Sequence, residues 1–146
     1  MRTYFDSSVL VPLLNEKSPH YAEARGFWLS STERVTSCHA LAETYRTLTT
    51  LKNPIPTKAA SRLIRGLSGT VEFCPSASAD YLAAVERCAD QGLSGAIVYD
   101  AAHVAMARAA RVDRIVTRNK KHFDLFAAGI RGHVRPLRTQ SGRVGG

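Results

Sequence analysis

At 146 residues the chain has the length of one domain and can bury a single core. A hydrophobic fraction of 45% and a charged fraction of 22% exclude a disordered or fibrous protein, and no apolar run approaches the roughly 20 residues that span a bilayer. The formal charge is +8, and from Arg108 onward there are ten basic residues against only Asp113 and Asp124, an asymmetry that favours a polyanionic partner such as nucleic acid over an acidic protein face.

In chain order, Thr3 to Phe5 reads as a brief strand that stops at Asp6. Ser7-Ser8 offers an N-cap to the apolar run Val9 to Leu14, with Pro12 placed in a first turn. After the loop 15–19, a helix runs from about His20 to Leu29 with Tyr21, Ala24, Phe27 and Trp28 at core spacing. Arg34 to Thr36 reads as the second strand. Ser37 caps a helix with Leu41, Tyr45 and Leu48 on one stripe, and Asn53-Pro54-Ile55-Pro56 ends it. Thr57 starts a helix towards Gly66, Val71 to Phe73 is a strand, and Ser78 caps a helix to about Ala89. Beyond the loop 91–95, residues 96–110 form a long helix, apolar on most sides. Arg114 to Thr117 is a strand, 120–126 a short helix, and Val134 with Arg135 a last strand.

Strands alternating with helices imply parallel crossovers, hence an α/β fold. The expected architecture is a three-layer α/β/α sandwich on a central, mainly parallel sheet of four to five strands. One domain over 1–138 and a disordered tail over 139–146 complete the layout. Cys38, Cys74 and Cys88, odd in number and without a C-x-x-C pair, read as small core residues in a reducing compartment. Without a signal-peptide pattern, the expected location is cytoplasmic and away from membranes.

Three acids stand apart from the solvated majority. Asp6 lies where a strand meets a helix, the place where open α/β sheets put ligand-binding groups; helix capping is the alternative. Asp100, in Ser94-Gly95-Ala96-Ile97-Val98-Tyr99-Asp100-Ala101-Ala102-His103, sits one turn into an apolar helix. There it needs an arginine partner, a solvated window or a metal. Glu43 lies about 200° around its helix from Leu41, off the apolar stripe, which by itself reads as solvated. The turn after Thr117, with Asn119, can receive an anion or a hydrated cation, or can simply cap a helix.

Four blocks in this order resemble the PIN-domain family of nucleases, and within it the VapC-type toxins of toxin–antitoxin modules. They are Tyr4-Phe5-Asp6-Ser7-Ser8-Val9-Leu10-Val11, Ser37 through Ala42-Glu43 to Arg46-Thr47-Leu48, Leu93-Ser94-Gly95-Ala96-Ile97-Val98-Tyr99-Asp100-Ala101, and Thr117-Arg118-Asn119-Lys120-Lys121-His122-Phe123. The resemblance implies that Asp6, Glu43 and Asp100 converge at the carboxyl ends of the strands and hold Mg²⁺, with Mn²⁺ as a substitute. Asn119 falls on a fourth position that is often aspartate, which leaves open whether one or two ions bind. His122 replaces another frequent acid and is not assigned as a ligand. Ser7 and Thr117 take orienting roles near the acids or the phosphate, and Arg118, Lys120 and Lys121 contact the RNA backbone. The implied activity is a metal-dependent endoribonuclease that inhibits translation as the toxin of a type II module, working as a homodimer with a VapB-type antitoxin. The alternatives are a non-catalytic RNA- or partner-binding module and a DNA or flap nuclease on the same fold. The chemistry is consistent with the leading reading: hard divalent cations select carboxylate oxygens, and clustered carboxylates repel one another unless a cation neutralises them.

Overall fold

The structure, a computed structural model, describes residues 1–128, 130 and 135–136. The strands are β1 (Arg2–Phe5), β2 (Glu33–Ser37), β3 (Glu72–Cys74), β4 (Arg114–Thr117) and β5 (Arg135–Pro136). Between them run α1 (Ser7–Leu13), α2 (Tyr21–Ser30), α3 (Cys38–Thr50), α4 (Thr57–Ser68), α5 (Ser78–Asp90), α6 (Ile97–Ala109) and α7 (Lys120–Asp124). The sheet order is β3-β2-β1-β4-β5 with every pairing parallel. It is the expected α/β/α sandwich.

The layers follow from the two-residue period of a strand. Tyr4, Val35, Cys74 and Ile115 point to one face and pack with Ala84, Ala102, Val104 and Phe123 from α5, α6 and α7. The intervening Phe5 and Val116 point to the other face, against Val9, Leu10, Ala24, Ala40 and Leu67 from α1 to α4. With helices on both faces, the central strands carry no solvent-facing side and read as short apolar runs. At the amino ends of the strands Arg2 spans three of them. Its guanidinium donates to Glu33 Oε2 at 2.8 Å and to both Glu72 oxygens at 2.7 and 2.8 Å.

Several local expectations are corrected. The N-cap of α1 is Asp6, not Ser7 or Ser8, and its side chain makes no cap bond. Both serines lie inside the first turn, where Ser8 Oγ donates to the Asp6 carboxylate instead. Pro12 falls in the last turn of the seven-residue α1 rather than the first. The helix α5 begins at Ser78 with Ala77 as N-cap, whose N–H donates to Asp80 Oδ2 at 3.3 Å. Ser37 does cap α3, accepting from the Ala40 N–H at 3.1 Å. Cys74 and Cys88 are buried, but Cys38 is exposed at the first turn of α3. Arg135 lies in β5, while Val134 and the expected tail over 139–146 lie outside the described residues. Among the described residues no helix is long and apolar enough to cross a membrane.

Replacing fully buried Ile115 on β4 with alanine should destabilise the protein by about 2–5 kcal/mol, from lost transfer energy plus the cavity. Leu82→Ala, at a residue 61% exposed on α5, should stay within about 0.5 kcal/mol of the parent, with both variants read by urea unfolding.

Candidate functional site

The chain winds from β1 through β2 to β3 on one side of the sheet and then returns to β4 on the other side of β1. Between β1 and β4 the connections diverge and leave a crevice at the carboxyl ends of the strands. Asp6 directly follows β1 and Thr117 ends β4, so both stand at this point.

Asp6 is only 3% exposed. Its Oδ1 accepts from Ser8 Oγ at 2.6 Å and its Oδ2 from Thr117 Oγ1 at 2.7 Å. Both hydroxyls are held in turn, Ser8 Oγ by the Arg118 N–H at 2.9 Å and Thr117 Oγ1 by the Asn119 N–H at 3.0 Å. The turn after β4 is thereby fastened to the turn after β1. Burial pushes the Asp6 carboxyl up to about 6, against the two hydroxyl hydrogen bonds, and the charge of Asp100 adds to the rise.

Asp100 stands in the first turn of α6, which follows Gly95 at φ +80°, a left-handed conformation that a side chain would strain. Its side chain is 18% exposed, and its partner is His122 Nδ1 at 2.9 Å rather than an arginine. Burial raises its pKa despite that partner, and the charge of Glu43 raises it further. Asp100 acts on Asp6 and Glu43 acts on Asp100, so the three acids share one electrostatic field.

Glu43 is not a free surface glutamate. Its Oε1 lies 2.6 Å from His103 Nε2, accepts from Ser7 Oγ at 3.4 Å, and is 3.8 Å from His39 Nε2 one turn earlier on α3. Burial is the largest single influence and works upward. The His103 hydrogen bond and charge, the His39 charge and the Ser7 hydroxyl outweigh it and hold Glu43 below its ordinary value. His103, buried on α6, reaches the Tyr4 hydroxyl with Nδ1 at 2.6 Å. Tyr4 donates to Ser37 Oγ at 3.0 Å, so a hydrogen-bonded chain runs from the cap of α3 to Glu43.

The donor set fits a hard divalent cation. Two carboxylates are raised by burial and by a neighbouring acid, Asp6 by Asp100 and Asp100 by Glu43, and a cation among them would relieve both effects. Asn119 occupies the exposed N-cap position of α7 and its side chain makes no cap bond. Arg118 and Lys121 are exposed, whereas Lys120 pairs with Asp124. Ser8, not Ser7, is the serine on Asp6; Ser7 serves Glu43. Sequence reasoning passed over Ser8, His39, His103 and Tyr4. The available signals were the His39–Glu43 spacing of four on a helix, and a histidine embedded in the apolar run of α6 that had to find a partner.

The parallel sheet with helices on both faces, and Asp6 at the carboxyl end of its central strand, define an α/β protein of the open-sheet class, in which ligands bind at that edge. The PIN domain family model matches residues 3–128, and the chain belongs to that family. Comparison with curated proteins returned no match. Among solved structures, the chain is similar to Mycobacterium tuberculosis VapC20, described as a Sarcin-Ricin loop cleaving toxin, with 22% identity and TM-score 0.70 over 88% of this chain and 95% of that one. It is also similar to Rickettsia felis VapBC2 bound to a promoter DNA fragment, at 15% identity and TM-score 0.67 over 94% and 100%. A Klebsiella pneumoniae toxin–antitoxin complex shows 22% identity and TM-score 0.65 over 94% and 99%.

A raised carboxyl pKa carries a pH signature. Between the ordinary value of 3.8 and about 6 the folded protein binds more protons at Asp6 than the unfolded chain does. Stability from this group therefore rises as pH falls through about 6 towards 3.8, and ionised Asp6 is a net cost above that window. Asp6→Asn should raise the thermal midpoint of the metal-free protein at pH 8, by the equivalent of about 1–3 kcal/mol. The advantage should close on acidification, as read by thermal melts across pH.

Proposed function

We propose that this protein is a Mg²⁺-dependent endoribonuclease, the toxin component of a type II toxin–antitoxin pair. The reading is supported by the electrostatic coupling that links Asp6 to Asp100 and Asp100 to Glu43 in a PIN-domain chain, with Asp6 directly after the central strand. A second feature supports a polyanionic substrate. From Thr44 to Val71 the chain has five cations, Arg46, Lys52, Lys58, Arg62 and Arg65, and no acid. Lys58, Arg62 and Arg65 follow helical spacing on α4, are exposed, and make no ion pair among the described residues. Arg65 lines an open groove of about 480 Å³ between α3 and α4 with Tyr45, Leu41 and Cys38. The similarity to a VapC toxin described as cleaving the Sarcin-Ricin loop and to toxin–antitoxin complexes points the same way.

In this reading Asp6, Glu43 and Asp100 hold Mg²⁺, or Mn²⁺ in its place, with Asn119 offering a neutral carbonyl oxygen. The ion supplies Lewis-acid activation of the phosphodiester and a nucleophile at neutral pH. Thr117 and Ser8 fix the Asp6 carboxylate, and Ser7 with His103 fixes Glu43. The cations of α4 with Arg118 and Lys121 position the RNA backbone without reading its sequence. The protein acts in the cytoplasm as a single domain over 1–138, as a homodimer restrained by a VapB-type antitoxin. A binding module without catalysis is the second reading, favoured by the uncharged Asn119.

Asp6→Asn and Asp100→Asn should each lower Mg²⁺-dependent RNA cleavage by at least about 100-fold and relieve growth inhibition. Survival of both activities in either variant sinks the assignment, and RNA binding without metal-dependent scission in the parent establishes the second reading. Replacing Lys58, Arg62 and Arg65 together with alanine should weaken RNA binding for all sequences and flatten its salt dependence by about two units of slope.

A further inference from the structure

Neither of the histidines around Glu43 is a ligand in the all-carboxylate set. We propose that His39, Glu43 and His103 form a second cation site, one that prefers a borderline transition ion of the Zn²⁺ class to Mg²⁺. Two imidazoles and one carboxylate are the donors that such ions select, whereas Mg²⁺ takes oxygen and keeps its waters. The three ligand atoms lie within 4.8 Å of one another. His103 Nε2 is 2.6 Å and His39 Nε2 3.8 Å from the same Glu43 oxygen. Tetrahedral ligands on bonds of about 2.0–2.2 Å stand roughly 3.3–3.5 Å apart, so the two separations from Glu43 need shifts of less than about 1 Å and the histidine pair, within 4.8 Å, at most about 1.5 Å.

Both rings are already oriented. His103 has its other nitrogen on the Tyr4 hydroxyl at 2.6 Å, the kind of outer contact that fixes a metal-binding histidine. His39 stacks on Tyr99 with centroids 5.5 Å apart and planes 18° apart, and meets the edge of Tyr81 at 6.5 Å. His39 and Glu43 are 28% and 33% exposed, which gives the ion an entry path and a fourth position for water. On binding, the ion takes the place of the proton held between His103 Nε2 and Glu43 Oε1, and that proton leaves to solvent.

Glu43 belongs to both donor sets. An ion held by the two histidines withdraws it from Asp6 and Asp100, so Zn²⁺ acts as an inhibitor of Mg²⁺-dependent cleavage; this consequence rests on the ribonuclease reading, whereas the binding itself does not.

The test uses the full-length, metal-stripped protein titrated with Co²⁺ and followed by visible absorption. The parent and Asp100→Asn should both develop intense tetrahedral bands that Zn²⁺ bleaches and excess Mg²⁺ does not. His39→Ala should weaken Co²⁺ binding by at least about tenfold. His39→Gln replaces it if circular dichroism shows the alanine variant unfolded. Absence of bands in the parent, bands that survive loss of His39, or bands that vanish in Asp100→Asn overturn the site. In cleavage assays at fixed Mg²⁺, His39→Ala should need about tenfold more Zn²⁺ for the same inhibition; equal sensitivity overturns the regulatory role. If the parent cleaves no RNA with any divalent ion, the ribonuclease reading fails and the Co²⁺ result stands on its own.

Discussion

A carboxylate taken out of water at the end of the central strand is the constraint on which the rest of this structure turns. Burial of Asp6 is costly, and the cost is limited only because two hydroxyls from two different turns donate to it. Those hydroxyls belong to Ser8 on α1 and Thr117 on β4, the elements that flank the crevice, and backbone N–H groups of the third element, the turn into α7, hold them in place. The order β2-β1-β4 makes this possible, since it sets β4 directly beside β1 and so brings the turn after Thr117 next to Asp6. The acid and the topology specify each other.

A second network is anchored on the same strand through Tyr4. Tyr4 joins the cap of α3 to His103 on α6, and His103 holds Glu43. Adjacent parts of one short segment thus position two of the three acids, Asp6 directly and Glu43 through a phenol and an imidazole. Removing the Tyr4 hydroxyl would leave a buried histidine nitrogen unpaired, a loss felt at Glu43 rather than at Tyr4 itself.

The fold class was legible because strand runs and amphipathic helices alternate with clear punctuation, which implies parallel crossovers, whereas the strand order comes from the structure. The blocks singled out Asp6, Glu43 and Asp100 as the candidate acids. Their surroundings were not legible. Glu43 reads as solvated by helical geometry alone, because the residue that half-buries and pairs it, His103, comes from another helix 60 residues away. Ser7-Ser8 looks like a helix cap by local preference, yet Ser8 donates its proton to the Asp6 carboxylate and its oxygen accepts from the Arg118 N–H rather than from α1. Cys38 follows the buried Ser37 but starts α3 on the groove side, where the strand period no longer applies. For Glu43 a contact distant in sequence overrode the local preference; for Ser8 and Cys38 the boundary between strand and helix did.

The same Cys38 gives the molecule an intrinsic reporter. Its thiol is exposed on the groove wall beside Tyr45 and Arg65, whereas Cys74 and Cys88 are 2% and 5% exposed. A thiol-reactive fluorophore will mark the unmodified chain at one chosen place among the three. Attached there, the dye senses any strand or helix that settles between α3 and α4, so occupancy of the groove becomes an optical signal obtained without altering a single residue.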